Sequence, residues 1–190
     1  MIERHPLPPF LPPHARVLML GSFPPKRNRW SMEFFYPNYI NDMWRIMGLI
    51  FFADKHHFEV KAEKRFDYER VVNFCHEKGI ALFDAAYEVR RLKDNASDKY
   101  LEVVTPTDVP SLLQRLPQCH TIVTTGEKAT EALCSVLHVD RPTVGGYCEG
   151  MCQGRPVRLY RMPSSSRAYP MSVENKASIY RVLFQYLQLL

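Results

Sequence analysis

The sequence predicts an α/β fold, a three-layer sandwich in which helices flank a central, mainly parallel sheet of four strands. Two observations support this prediction: short apolar runs recur along the chain, and stretches with apolar residues at three- and four-residue spacing lie between them. Strands that alternate with helices in this way are typical of parallel sheets, whose faces the helices cover. Ligands bind such sheets beyond the carboxyl ends of the strands.

Four apolar runs have the length of buried parallel strands. They cover residues 17–20, 80–83, 121–124 and 157–160, and the first is stopped by a glycine and two prolines. The amphipathic stretches predict helices over about 41–52, 67–78, 107–116, 127–137 and 173–188. Residues 90–97 are polar and turn-rich, which predicts a surface loop.

The ends of the chain differ in character. Residues 1–15 contain the run PLPPFLPP, and proline fixes φ and removes a backbone donor, so we expect an extended arm. Residues 16–190 fit one domain, because a chain of 190 residues with 46% hydrophobic content can build a full core.

Composition narrows the class of protein. The sequence contains no apolar run of about 18 residues, the length that spans a bilayer, and its first residues lack the apolar core of a signal peptide. We therefore expect a cytoplasmic protein. The five cysteines are scattered without a CxxC pair, so we expect reduced thiols and neither a metal nor another cofactor. The net charge of +5 favours a polyanionic partner. We expect a monomer.

The segment after the first predicted strand interleaves basic residues with aromatic ones. It reads GSFPPKRNRWSMEFFYPNYINDMWRIMGL. Stacking on nucleic-acid bases combined with neutralisation of phosphates requires this mixture. The alternative is a long loop whose aromatic side chains pin it to the core.

Four short motifs together resemble the uracil-DNA glycosylase superfamily. Residues 21–25 (GSFPP) stand where thymine- and mismatch-specific members have G-x-N-P-G after the first strand. Residues 36–45 (YPNYINDMWR) match their Y-P-x-P-x-N-x-F-W-K segment at Tyr36, Pro37, Asn41 and Trp44. Residues 162–166 reproduce their M-P-S-S-S motif. Residues 79–84 (GIALFD) resemble the G-L-W-D strand of the hypoxanthine-DNA glycosylase branch.

The resemblance implies a monofunctional DNA glycosylase acting in base-excision repair. Such an enzyme flips a deaminated base, uracil or hypoxanthine, out of DNA and hydrolyses its N-glycosidic bond, so the partner would be DNA with a damaged or mismatched base. One alternative is a non-catalytic module of the same fold that binds damaged or single-stranded DNA. Another is a hydrolase of a small nucleoside or sugar, which leaves the basic aromatic segment unexplained.

The first motif departs from the superfamily, because Phe23 occupies the position of the catalytic amide or carboxylate. Phe23 could instead stack on the extracted base. The resemblance places Asn41 at the helix that lines the pocket, where its amide could hold water or contact a base edge. Asp42 could act as a general base or stabilise an oxocarbenium ion. Helix capping, with Asn41 at the N-cap, is the alternative for both residues, and the two roles are compatible.

Three further sets of residues complete the predicted site. Asp84 ends a strand, where its carboxylate could accept a hydrogen bond from a base N–H, or it could cap a following helix. Tyr36 could form a pocket wall or belong to the core. Ser164, Ser165 and Ser166 could bind phosphate oxygens, with Arg167 as a phosphate ligand or wedge, or this turn could cap the last helix.

Overall fold

A computed structural model of the chain describes residues 1–93 and 100–190. Within these residues the strands are β1 (Ile2–Arg4), β2 (Val17–Gly21), β3 (Glu59–Val60), β4 (Arg65–Phe66), β5 (Ile80–Asp84), β6 (Ala86–Arg91), β7 (Leu101–Pro106), β8 (Thr121–Thr125), β9 (Tyr147–Cys152) and β10 (Arg155–Met162). The α-helices of the same residues are α1 (Met43–Phe52), α2 (Tyr68–Lys78), α3 (Val109–Gln114), α4 (Glu127–Leu137) and α5 (Val173–Tyr186).

The central sheet has five strands in the order β5-β2-β8-β10-β9. All four predicted strands are confirmed, and they pair in parallel. The predicted number of four was wrong by one, because β9 adds to the edge of the sheet, antiparallel to β10. β9 contains no continuous apolar run, since an antiparallel edge strand alternates between exposed and covered residues.

A second sheet of three antiparallel strands, in the order β1-β6-β7, was not predicted. β6 buries only Ala86 and Val89, and β7 alternates between exposed and partly covered positions after its first residue, so neither strand contains the continuous apolar run for which we searched. The predicted surface loop over 90–97 is corrected at its start, because Arg90 and Arg91 end β6. Residues 94–97 of that loop lie outside the described residues.

The five predicted helices are confirmed within a few residues at each end. Three of them begin at a side chain that accepts a hydrogen bond from the first turn, namely Asp67, Asp108 and Ser172. Helix α1 is buried on nearly all sides and packs against α5. No helix of residues 1–93 and 100–190 has the length and apolar character that crossing a membrane requires.

The N-terminal segment pairs with both sheets. Ile2, Glu3 and Arg4 are in register with residues of β6, and the backbone of Phe10 exchanges two hydrogen bonds with Leu82 of β5 (3.0 and 2.9 Å). The segment therefore covers the outer edge of the central sheet, where unpaired backbone groups would otherwise be exposed.

The register of the parallel strands brings their carboxyl ends to one edge of the sheet. Gly21 lies beside Asp84, and Thr125 lies beside Met162. The two resembling motifs, residues 21–25 and 162–166, lie at the carboxyl ends of strands of the same sheet, and the tertiary structure therefore places them at one edge of it.

Candidate active site

A cavity of about 1020 Å³ lies beyond these carboxyl ends. Its walls come from the chain after β2, from the residues that lead into α1, from the start of α4 and from the loop after β10. Eight of the nine predicted site residues line it: Phe23, Tyr36, Asn41, Asp84, Ser164, Ser165, Ser166 and Arg167. Asp42 does not.

Gly21 forms the floor of the cavity. A Cβ atom at this position would overlap Oδ1 of Asp84 and would lie 3.4 Å from the hydroxyl oxygen of Tyr36. Only glycine lets these two polar groups close over the end of β2.

Asp84 is buried, and one of its carboxylate oxygens is held by a residue that the sequence analysis did not identify. Oδ2 lies 2.9 Å from Nε2 of His5, whose side chain has no solvent exposure. The backbone oxygen of Asp84 accepts from the hydroxyl of Thr107 (2.6 Å). No helix starts at Asp84, because β6 begins at Ala86, so the capping alternative has no helix to act on.

His5 was missed because its role depends on contacts distant in sequence. It lies among prolines in a segment with no hydrophobic periodicity, and no motif surrounds it. The structure encloses its ring between three aromatic rings, with centroid distances of 5.5 Å to Phe23, 6.1 Å to Phe35 and 4.4 Å to Phe83.

Phe23 lies at the cavity wall and is held from behind by Arg91. The Arg91 guanidinium is 5.6 Å from the centre of the Phe23 ring, donates to the backbone oxygen of Pro24 (2.6 Å) and contacts both carboxylate oxygens of Glu3 (3.0 Å each). These contacts fix the orientation of the ring, which stacking on a base requires.

Tyr36 lies between the cavity and the core. Its hydroxyl is 3.0 Å from Oγ1 of Thr125, and its backbone has a φ of 50°, in the left-handed region. A tyrosine rarely adopts this conformation, so the surrounding structure stabilises it at some cost. Tyr36 therefore both forms part of the pocket wall and belongs to the core, since it lines the cavity and packs against Trp44.

Asn41 immediately precedes Asp42, the N-cap residue of α1. Its Oδ1 accepts a hydrogen bond from the backbone N–H of Met43 (2.9 Å). Its Nδ2 donates to no acceptor in the described part of the chain. The amide oxygen therefore stabilises the start of α1, while two N–H groups stay available to a ligand in the cavity.

Asp42 belongs to a buried ion pair beside the cavity. Its side chain is 3% exposed, and Oδ2 accepts from Nζ of Lys176 at 3.0 Å, a lysine with no solvent exposure. Oδ1 is 3.4 Å from the half-exposed guanidinium of Arg167. Asp42 makes no side-chain capping bond, although it occupies the N-cap position that the capping alternative assigned to Asn41.

Backbone carbonyl groups of the loop after β10 accept hydrogen bonds from two side chains of α5 and from the backbone of Asp42. Pro163 accepts from the Tyr180 hydroxyl (2.7 Å), Ser165 from the Asp42 backbone (2.9 Å) and Ser166 from Lys176 (2.8 Å). Helix α5 is capped by Ser172, so the serines of this loop do not cap it.

The polar groups of this loop differ in their availability. The backbone N–H groups of Ser164, Ser165 and Arg167 meet no acceptor among the described residues. Ser165 is buried, whereas Ser166 and Arg167 are exposed at the mouth of the cavity. Free amides beside an exposed arginine can bind an anion such as a phosphate group.

The basic aromatic segment divides between the core and the rim. Phe34 and Phe35 are buried, as the alternative of a loop pinned to the core requires. Arg29 is exposed and lines the cavity, and the guanidinium of Arg27 stacks over the ring of Trp30 at 4.2 Å. The buried aromatic residues thus anchor the segment to the core, and Arg27 and Arg29 are exposed to solvent.

The cysteines lie away from this chemistry. All five are free thiols, and none lines the cavity. Burial raises the pKa of Cys119 to about 11 and raises the pKa of Cys75 further still. Within the described residues, no group of three or more His, Cys, Asp or Glu side chains is placed to hold a metal ion.

Comparison with known proteins identifies the fold and not a family. No family model matches the sequence, and no curated protein matches it. Among solved structures, the chain is similar to the solution NMR structure of "a putative uracil DNA glycosylase from Methanosarcina acetivorans". The TM-score is 0.64 with 22% sequence identity, over 99% of each chain. The two proteins share a fold.

Proposed function

We propose that the chain is a monofunctional DNA glycosylase of the uracil-DNA glycosylase superfamily that removes a deaminated base from DNA. The observation that carries this proposal is the convergence in one cavity of Asn41, Asp84 and the ring of Phe23, opposite the Met-Pro-Ser-Ser-Ser loop. The description of the structural neighbour as a uracil DNA glycosylase supports the same reading. The motifs that resemble the thymine-specific and hypoxanthine-specific branches favour uracil or hypoxanthine as the base.

The cavity-lining residues supply a stacking surface, a hydrogen-bond acceptor and hydrogen-bond donors for a flipped base. A flipped base would stack on Phe23 and donate its ring N–H to Asp84. The free Nδ2 group of Asn41 would donate to the attacking water or to a carbonyl oxygen of the base. Water then adds to C1′ of the deoxyribose as the N-glycosidic bond breaks, the base leaves with the bonding electrons, and one proton of the added water passes through solvent to the departing base. Hydrogen-bond donors at the departing base stabilise its developing negative charge.

The DNA backbone would lie across the mouth of the cavity. The free amides of the loop and the exposed guanidinium of Arg167 would bind phosphates on one side, and Arg29 would do so on the other. Arg167 is long enough to enter the space that the base leaves in the duplex, which would offset part of the cost of flipping, a few kcal/mol.

The cavity residues favour direct hydrolysis by water over a covalent enzyme intermediate. Lys128 is the lysine among the cavity-lining residues, and its Nζ lies 3.7 Å from a carboxylate oxygen of Glu131, a contact that it would have to leave before it could attack C1′ of a deoxyribose. Borohydride reduction during turnover should therefore trap no covalent protein–DNA adduct.

The decisive experiment incubates the purified protein with duplexes that contain uracil, hypoxanthine or xanthine and then cleaves abasic sites with alkali. Strand breaks at the lesion only after alkali support the proposal. Asp84→Ala should lower the rate by about tenfold or more, the usual contribution of a positioned polar group. Tight binding without breaks on every lesion would refute it.

That second outcome is the prediction of the alternative, a module that binds damaged or single-stranded DNA without cleaving it. The specific observation in its favour is Phe23, which leaves the first motif without its polar side chain. If DNA binding proves absent or insensitive to salt, the protein acts on a small molecule instead, because phosphate contacts always make affinity depend on salt.

A further inference from the structure

We infer that His5, on the N-terminal segment, is a positioning residue that fixes Asp84 as a hydrogen-bond acceptor facing the base, so that the pocket selects bases with a ring N–H over bases with a bare ring nitrogen. This inference rests on the proposed function, because it assumes that the cavity receives a base. It adds a residue outside every motif to the site, and it explains how the site distinguishes a deaminated base from its parent.

The hydrogen bonds of His5 determine which oxygen of Asp84 the cavity receives. An ionised carboxylate only accepts hydrogen bonds, so Nε2 of His5 must be the donor to Oδ2 at 2.9 Å. The other ring nitrogen, Nδ1, lies 2.9 Å from the backbone oxygen of Leu7 and 3.2 Å from its nitrogen. Oδ1 of Asp84 lies beside Gly21, and both residues line the cavity.

The position of His5 is rigid. Its ring is enclosed by Phe23, Phe35 and Phe83, and the preceding residues are paired with β6. The backbone N–H of His5 donates to the carbonyl of Tyr87 at 2.8 Å. A carboxylate held by a ring with aromatic contacts on three sides presents its second oxygen in one direction, which is the preorganisation that selective recognition requires.

Base chemistry then sets the selectivity. Cytosine carries an unprotonated ring nitrogen at N3, and adenine carries one at N1. Deamination to uracil and hypoxanthine places a hydrogen on each of these atoms. A fixed carboxylate oxygen attracts this N–H and repels the lone pair of the parent base. Thymine and guanine carry the same N–H, so this contact separates deaminated bases from cytosine and adenine, and other groups must exclude thymine and guanine.

The test measures binding of hypoxanthine and adenine, two purines of similar size, each methylated at N9 to remove the ring N–H that both free bases carry there, by NMR titration. We expect wild-type protein to bind hypoxanthine at least about tenfold more tightly, as a hydrogen bond to a charged group allows. His5→Phe keeps a ring in the aromatic enclosure but removes the donor, and it should lose most of this preference. His5→Gln restores a donor near the position of Nε2 and should recover part of it.

Two controls separate positioning from folding. Arg4→Ala removes the ion pair between Arg4, the residue before His5, and Glu88 of β6, and it should leave the preference unchanged. Asp84→Asn replaces one carboxylate oxygen with an amide and should abolish the preference even if His5→Phe fails to fold. Equal binding of the two purines by wild-type protein would overturn the inference, as would a folded His5→Phe variant with the wild-type preference.

Failure of the inference and failure of the proposed function give different results. Excision of hypoxanthine from duplex DNA at equal rates in folded wild-type and His5→Phe protein would refute the role of His5 while supporting the glycosylase. A preference for hypoxanthine that depends on His5, without base release from any duplex, would support the inference and refute hydrolysis.

Discussion

Replacing Asp42 by alanine removes the counter-charge of Lys176, a lysine with no solvent exposure. In the native protein Nζ of Lys176 donates to Oδ2 of Asp42 at 3.0 Å and to the backbone oxygen of Ser166 at 2.8 Å. Asp42→Ala leaves the ammonium group with the Ser166 carbonyl alone, in an interior that water does not reach. We therefore expect a large loss of stability and a disturbed Ser166 loop.

The size of the loss follows from the burial of both partners. Removing one partner of a buried ion pair costs about 3–5 kcal/mol, because the other charge is left uncompensated. Arg167 adds little, since it is half exposed and 3.4 Å from Asp42. For a chain of this length each kcal/mol corresponds to about 2–4 °C, so the melting temperature should fall by about 6–20 °C.

The double variant Asp42→Ala, Lys176→Met tests whether Asp42 supports the loop after β10 or acts as a general base. It removes both buried charges and should recover most of the lost stability, as replacement of buried ion pairs by apolar residues commonly does. Thermal unfolding followed by circular dichroism measures the stability, and alkaline cleavage of a uracil or hypoxanthine duplex measures the activity. If Asp42 only supports the loop, the double variant regains activity with stability. A double variant that is stable but inactive would refute this reasoning and support Asp42 as a general base. A single variant that melts within about 2 °C of wild type would refute the expected loss of stability.

Three further predictions concern the cavity, its rim and the core. Asn41→Asp keeps the oxygen that accepts from the backbone N–H of Met43 but removes the amide donors, so excision should slow by about tenfold or more at an unchanged melting temperature. Full activity would exclude a role for Nδ2, and Asn41→Ala should lower both the rate and the melting temperature. Arg29→Ala should weaken DNA binding equally for all sequences and reduce the slope of log affinity against log salt by about 1, whereas an unchanged slope would remove Arg29 from the interface. Because burial raises the pKa of the Cys119 thiol from 9.0 to about 11, the stability that it contributes is complete below pH 9.0 and is lost as the pH rises through 11. The free energy of unfolding should fall in this interval by about 1.4 kcal/mol per pH unit for this thiol, and Cys119→Ala should reduce the slope measured by urea titration by that amount.

The parallel core could be predicted because its signals are local. Each strand of the sheet that is buried on both faces reads as an apolar run, and each helix shows its own period. β9, β6 and β7 escaped prediction because each of them buries at most two of its six residues and so contains no continuous apolar run.

The site was predicted to the extent that motifs mark it. Residues 21–25, Asn41 and residues 162–166 carry recognisable sequence patterns, and all of them line the cavity. Such patterns do not indicate the direction of a side chain, and Asp42 is an example. At the start of a helix, adjacent side chains point in different directions. Asn41 faces the cavity, while Asp42 reaches α5 across 134 positions of the chain.

The sequence by itself determined the order of the four parallel strands and the five helices and the segments that end at the ligand side of the sheet, because these depend on local periodicity and on turn residues. The tertiary structure alone decided which polar groups meet there. His5 and Asp84 are 79 positions apart, and neither residue type nor spacing indicates that one holds the other. Their contact depends on the N-terminal segment pairing with β6 and β5, an arrangement of long-range backbone hydrogen bonds that no local pattern contains.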